Sequence, residues 1–173
     1  TINEGTLILA KTPGTAAIAG GTITVGNGAG TDILRLGASH QIGNSTNLTL
    51  AGGSFQLNNF SETLAALKLD ASSTIDFGST ASALVFADSS AQSWTGTLTI
   101  ANYTTASGNS LRFGTTASGL TSGQLAQISF TGYGAGVTID GSGYVSPIPE
   151  PGTYAVLAGL AALALAARRR RRS

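Results

Sequence analysis

The side chains able to do acid–base or nucleophilic chemistry are few and scattered. His40, in GASHQIG, is the single histidine, and a general base needs a nucleophile or an orienting carboxylate beside it, which its neighbours along the chain do not supply. It reads as a turn or surface residue. Asp70, Asp76 and Asp88 are acids of the type that pair in polysaccharide-cleaving enzymes, but eight acids spread among turns, with only 11 aromatic residues to line a cleft, do not mark a catalytic pair. Asp32 follows a glycine-rich run in GNGAGTDILR, which has the G-x-G-x-D-x-L spacing of calcium-binding nonapeptide repeats. Those sites draw ligands from stacked copies, and with one copy here an ordinary turn is the expected reading. There is no cysteine, which excludes disulfides and thiolate chemistry. No catalytic residue, cofactor or metal site is expected, and the chain is expected not to be an enzyme.

Gly26, Gly28 and Gly30, and again Gly132, Gly134 and Gly136, resemble phosphate loops only superficially. No helical pattern follows either cluster, so no helix N-terminus would meet a phosphate, and both read as turns. Asn44, Asn47, Asn59 and Asn102 open Asn-x-Ser/Thr triplets that a sequence so rich in these residues produces by chance. Trp94 reads as a core or end-stacking residue.

The C-terminal stretch SPIPEPGTYAVLAGLAALALAARRRRRS is different in kind. Pro149 and Pro151 lack amide hydrogens and favour an extended chain around Glu150, which suits an accessible processing motif. Sixteen uncharged residues follow before Arg168. As a helix they span about 24 Å, short of a hydrocarbon core of about 30 Å, so a helix closing the end of the body competes with a membrane segment on length. The stretch is nevertheless apolar all round, through Tyr154, Leu157, Leu160, Leu163 and Leu165, which favours lipid over an amphipathic cap. Arg168, Arg169, Arg170, Arg171 and Arg172 would snorkel and hold that end in the cytoplasm, leaving the body across the membrane. The expected role is a transient membrane stop followed by proteolytic release or transfer, rather than a permanent anchor.

The elements carrying these residues are read from periodicity. From residue 5 to about 145, β-branched and aliphatic residues alternate with small polar ones and are cut by Gly, Asn, Ser and Asp, the pattern of short half-buried strands. GTLILA, GTITVG and GTLTIA share a frame, joined by DILRLG, NLTLAG, STIDFG, SALVFA, AQISF and GVTID. In the first three, Leu7 and Leu9, Ile23 and Val25, and Leu98 and Ile100 are expected on one buried face. SETLAALKLD reads as a strand with a turn. Recurring Gly-Thr-apolar units, 24 Gly, 4 Pro and 10% charged residues favour an all-β parallel β-helix (β-solenoid), with Thr, Ser and Asn stacked in ladders. An antiparallel sandwich is the alternative, and VGNGAG and IDGSG are the candidate hairpin turns. The division expected is a β-solenoid over 1–145, the C-terminal part of a longer array whose secretion signal lies upstream, and a sorting segment over 146–173 with a short transmembrane helix. Residues 1–150 carry four basic residues against eight acids, which excludes a nucleic-acid partner.

In order, the Pro149-Glu150-Pro151 motif, the short hydrophobic segment and the arginine cluster resemble a PEP-CTERM sorting signal. That resemblance implies a protein exported in a Gram-negative bacterium, recognised and cut near the motif by an exosortase-type membrane peptidase. It would be inner-membrane anchored through lipid contact of the helix and then reach the cell surface or extracellular matrix. EGTLILAKTPGTAAIAGGTITVGNGAG, LRLGASHQIGNSTNLTLAGGSFQLNNFSETLAALKL and SALVFADSSAQSWTGTLTIANY are similar to autotransporter-associated β-strand repeats, which implies a β-helical structural or adhesive body that meets exopolysaccharide or other surface proteins. The membrane barrel that follows an autotransporter passenger is not in this sequence, and the sorting segment offers another route. A polysaccharide-active β-helix enzyme or a carbohydrate-binding module is the alternative.

Overall fold

The computed structural model describes residues 1–148. These are mostly β, in three sheets. The first is six-stranded, in the order β1 (Gly5–Leu9), β3 (Asp32–Leu36), β5 (Ser54–Gln56), β8 (Ser73–Asp76), β10 (Leu98–Ala101), β12 (Ile128–Phe130). The second holds β2 (Thr22–Val25), β4 (Asn47–Ala51) and β7 (Leu67–Ala71). The third runs β13 (Val137–Ile139), β14 (Tyr144–Pro147), β11 (Ser110–Phe113), β9 (Ala83–Phe86), β6 (Glu62–Leu64). The chain visits the sheets in a fixed rotation: β4, β5, β6, then β7, β8, β9, then a single bridge from Trp94 to Leu69 followed by β10 and β11. Every strand pairing in the first two sheets is parallel, which an antiparallel sandwich does not produce.

The period-2 alternation sets which side chains go inward. Leu34, Phe55, Ile75, Ile100 and Phe130 stand opposite one another on successive strands, all buried. Leu64, Phe86 and Phe113 form a second inward column, with the Phe86 and Phe113 rings stacked at 5.1 Å. Burying each such side chain contributes about 1.5–3 kcal/mol. Of the expected inward pairs, Ile23, Val25, Leu98, Ile100 and Leu9 are buried. Leu7 is 41% exposed, because β1 is the outer strand of its sheet and only Leu34 lies opposite it.

At the corners between sheets, side chains replace the ladder bonds that a turning backbone cannot make. Ser39 Oγ accepts from Ser61 N, and Ser61 Oγ accepts in turn from Ala83 N, both at about 3 Å. Ser89 Oγ accepts from Leu67 N at 3.0 Å and Asn47 Oδ1 from Ala66 N at 3.1 Å. Ser39 and Ser61 thus stack at one bend, while Ser89 and Asn47 each close another singly. Asn58, Asn59 and Asn102 turn the chain at positive φ, a conformation Asn tolerates better than most residues.

AQISF and the all-parallel pattern depart from the sequence reading, each for a local cause, while SETLAALKLD follows it. AQISF is not one strand: Ser122–Ala126 forms helix α1 and the strand begins at Ile128. A capping box starts the helix, Thr121 Oγ1 accepting from Gln124 N while Gln124 Oε1 accepts from Thr121 N at 2.7 Å. SETLAALKLD does break into β6 and β7 around a turn at 65–66. IDGSG is a hairpin turn, VGNGAG is not. Asp140 Oδ1 accepts from Ser142 N and Tyr144 N, and Gly143 sits at φ 86°. The reversal lays β14 antiparallel between β13 and β11, so the parallel pattern ends there.

Candidate functional site: the outer sheet face and the exit of the C-terminal segment

The outward side of the six-stranded sheet carries a hydroxyl column, Ser54, Thr74, Thr99 and Ser129, each opposite the next. Beside it a cavity of about 320 Å³ is lined by Thr31, Asp32, Gly52, Ser54, Ser72 and Thr99, among others. Two residues along the strands, a recess of about 200 Å³ is lined by Arg35, Gln56, Asn58, Asp76 and Gly78. Arg35 Nε donates to Gln56 Oε1 at 2.7 Å, and Asp76 Oδ1 accepts from Gly78 N at 2.9 Å and from Asn102 Nδ2 at 2.8 Å. Hydroxyls with one cation and one anion in a shallow polar face suit hydrogen bonding to a hydroxylated polymer.

The acids singled out in the sequence are held separately. Asp70 pairs with Lys68 at 2.8 Å. Asp88 accepts from Ser90 N and Ser90 Oγ, which holds its carboxyl below the usual range. Asp76 is engaged as above. His40 is exposed in a turn at φ 57°, its N–H donating to Ser61 O. Trp94 is 9% exposed, its ring 6.1 Å from Phe113 and its Nε1 donating to Leu67 O, the core role expected. Asn47, Asn59 and Asn102 are corner residues: Asn59 Oδ1 accepts from Ser79 N at 2.6 Å and Thr80 N at 2.8 Å. Gly26, Gly28, Gly30, Gly132 and Gly136 take positive φ in turns. Asp32 departs from the turn expected of it, being the first residue of β3 and 2% exposed. Among the described residues no three His, Cys, Asp or Glu side chains gather as a metal cluster.

Glu62 stands out only in the structure, where it is 1% exposed. Its carboxylate accepts from Gln41 N at 2.7 Å, Ile42 N at 3.1 Å and Thr63 N at 3.0 Å. Burial pushes its carboxyl above the usual range against the opposing pull of those amides. Period-2 reading could have shown that Glu62 faces inward with Leu64, but not which amides wait there.

The sequence-based division at 145–146 falls inside β14. Ile148 N donates to Gly136 O at 3.0 Å, so the body holds the chain up to the residue before Pro149. Ile148 is 46% exposed and borders an apolar recess of about 480 Å³ with Leu125, Ala126, Ile128 and Val137. The motif Pro149, Glu150 and Pro151, the segment with Tyr154, Leu157, Leu160, Leu163 and Leu165, and Arg168 to Arg172 lie outside the described residues. Among the described residues no helix is long and apolar enough to cross a membrane.

No curated protein and no solved structure matches the chain. The family model of the PEP-CTERM protein-sorting motif matches residues 147–172, beginning at the last residue of β14. The chain therefore carries a PEP-CTERM sorting motif, of the kind an exosortase recognises in protein export, starting at the end of the last strand among the described residues.

Proposed function

We propose that this is an exported structural or adhesive protein of the cell surface or exopolysaccharide matrix, delivered through its C-terminal motif by an exosortase-type membrane peptidase. The observation that carries the reading is the motif match at 147–172 placed immediately after a folded β body. Residues 1–145 act in this reading as a parallel β-helix. Support comes from the fixed rotation through three sheets, the parallel register and the Ser and Asn side chains that bond successive turns at the corners. The body is not an enzyme in this account: its candidate acids are tied to separate local partners, and its outer sheet face presents hydroxyls to matrix glycan or to other surface proteins.

The C-terminal segment inserts as a short helix in contact with lipid, with Arg168–Arg172 on the cytoplasmic side. The motif then lies just outside the bilayer, where the peptidase meets it. The test is fractionation of the native host expressing wild type, Glu150→Ala and a deletion of residues 168–172. Surface delivery of wild type with retention of both variants in the inner membrane supports the proposal, and unchanged delivery of both overturns it. The polar recess of Arg35, Gln56, Asn58 and Asp76 favours a second reading, a polysaccharide-active or carbohydrate-binding face. Depolymerisation of an acidic polysaccharide that is lost in Asp76→Asn would establish the enzymatic form.

A further inference from the structure

Two carboxylates are buried among the described residues, and they are treated in opposite ways. Glu62 meets three backbone amides. Asp32 is 2% exposed, and both of its carboxylate oxygens are shielded from solvent without any hydrogen-bond partner in the protein. An ionised carboxylate removed from water carries a penalty far larger than any single contact returns, so an ionised Asp32 calls for a group of positive charge.

The surroundings favour an inorganic cation over a side chain. Asp32 stands opposite Gly5 on one side. On the other side Ile33 opposite Ser54 puts Gly53 at its level, and Ser54 opposite Thr74 puts Ser73 one strand further. Ser73 shows how this corner is normally closed, its Oγ donating to Ala71 O and accepting from Gly52 N, both at 2.9 Å. At Asp32 the same inward position holds a charged group between two residues that have no side chain. The turn leading into it, residues 26–31, is wound through Gly26, Gly28 and Gly30 at φ 103°, 86° and 79°. That turn carries backbone carbonyls, of which Thr31 O is already taken by Gly5 N at 2.7 Å. Carboxylate and carbonyl oxygens in an irregular loop are the donors of a calcium site, whereas magnesium prefers a rigid octahedron and keeps its waters.

We propose that Asp32 anchors a calcium ion at this corner, with carbonyl oxygens of the residue 26–31 turn completing its shell, and that the ion locks the first strands onto the rest of the body. The site is independent of the sorting segment.

The experiment uses the detergent-solubilised full chain, stripped with a chelator and titrated with CaCl₂, MgCl₂ or NaCl at matched ionic strength, read by calorimetric binding and thermal unfolding. At about ten times the dissociation constant the wild type should gain roughly 3–6 °C in midpoint with calcium and less with magnesium. Asp32→Asn and Asp32→Ser should lose both heat and shift, the serine matching the residue found at the level of Ser73. Asp70→Asn, on the exposed ion pair with Lys68, should keep both. Absence of calcium heat and shift in the wild type at millimolar calcium, or an equal shift in either Asp32 variant, overturns the proposal. Should both Asp32 variants fail to fold, the wild-type calcium and magnesium titrations decide it alone.

Discussion

Replacing Glu62 by Gln changes one oxygen into an NH₂ group in a pocket that contains only donors. The carboxylate receives Gln41 N and Ile42 N on Oε2 and Thr63 N on Oε1. Whichever way the amide is turned, its NH₂ faces at least one buried N–H, and an unsatisfied buried donor costs about 1–3 kcal/mol. The loss propagates, because Gln41 in turn accepts from Lys11 N through its side chain and from Ala17 N through its carbonyl, both at 2.6 Å. Loosening at Glu62 therefore frees the segment from Lys11 to Ile18. For a domain of this size that penalty lowers the midpoint by roughly 2–12 °C.

The pH dependence gives a second readout. Burial raises the folded-state carboxyl of Glu62 above the ordinary value of a glutamate. The stability it contributes is complete below the unfolded-state value and declines as the pH rises through the raised folded one. Gln does not titrate, so the stability gap between wild type and Glu62→Gln should be widest in acid and narrow towards neutrality. Urea unfolding across that range, with hydrogen exchange at residues 11–18, measures both effects. A variant as stable as the wild type in acid, or a gap that widens with pH, would refute the reasoning.

Other perturbations test the remaining parts of the fold. Phe86→Ala removes a fully buried ring stacked on Phe113 and should cost about 3–5 kcal/mol in denaturant unfolding with little change in slope. Gly26 and Gly28 both take positive φ, but a methyl at Gly26 would lie 2.4 Å from Ala51 O while one at Gly28 meets nothing within 4 Å. Gly28→Ala should therefore cost about 1–2 kcal/mol from the backbone alone, and Gly26→Ala distinctly more by the same assay. Asn102→Asp keeps a residue that tolerates the positive φ but turns the donor at Asp76 into a second carboxylate. Its loss of up to about 1 kcal/mol near neutral pH should fade as the pH drops through the carboxylate range and as salt is added.

The strands were legible because burial on one face imposes period 2 on the sequence: Ile23 and Val25, or Leu98 and Ile100, are apolar in alternation and buried together. The short strands β5, β11 and β14 do not show in the sequence, since three or four residues such as Ser54–Gln56 hold too little alternation to stand out beside their neighbours. Corners were harder still. Asn59 accepts two amides from a turn twenty residues away, and Glu62 two from a segment equally distant. Such contacts depend on which strand lies next in the sheet, and local propensity carries no record of that. Asp32 shows the limit from the other side. Its glycine-rich approach was visible and pointed to a turn, but only the register with Gly5 reveals a buried charge. The sorting motif was legible in full because its signal is the order of three compositional blocks along one stretch of chain.

The account rests most heavily on the C-terminal segment being a signal that is removed rather than a part that is kept. Mass spectrometry of the mature protein recovered from the surface of the native host measures this directly. A C-terminus near Pro149-Glu150-Pro151, with Arg168 to Arg172 absent, is the predicted result. Surface protein that still carries all five arginines would contradict it.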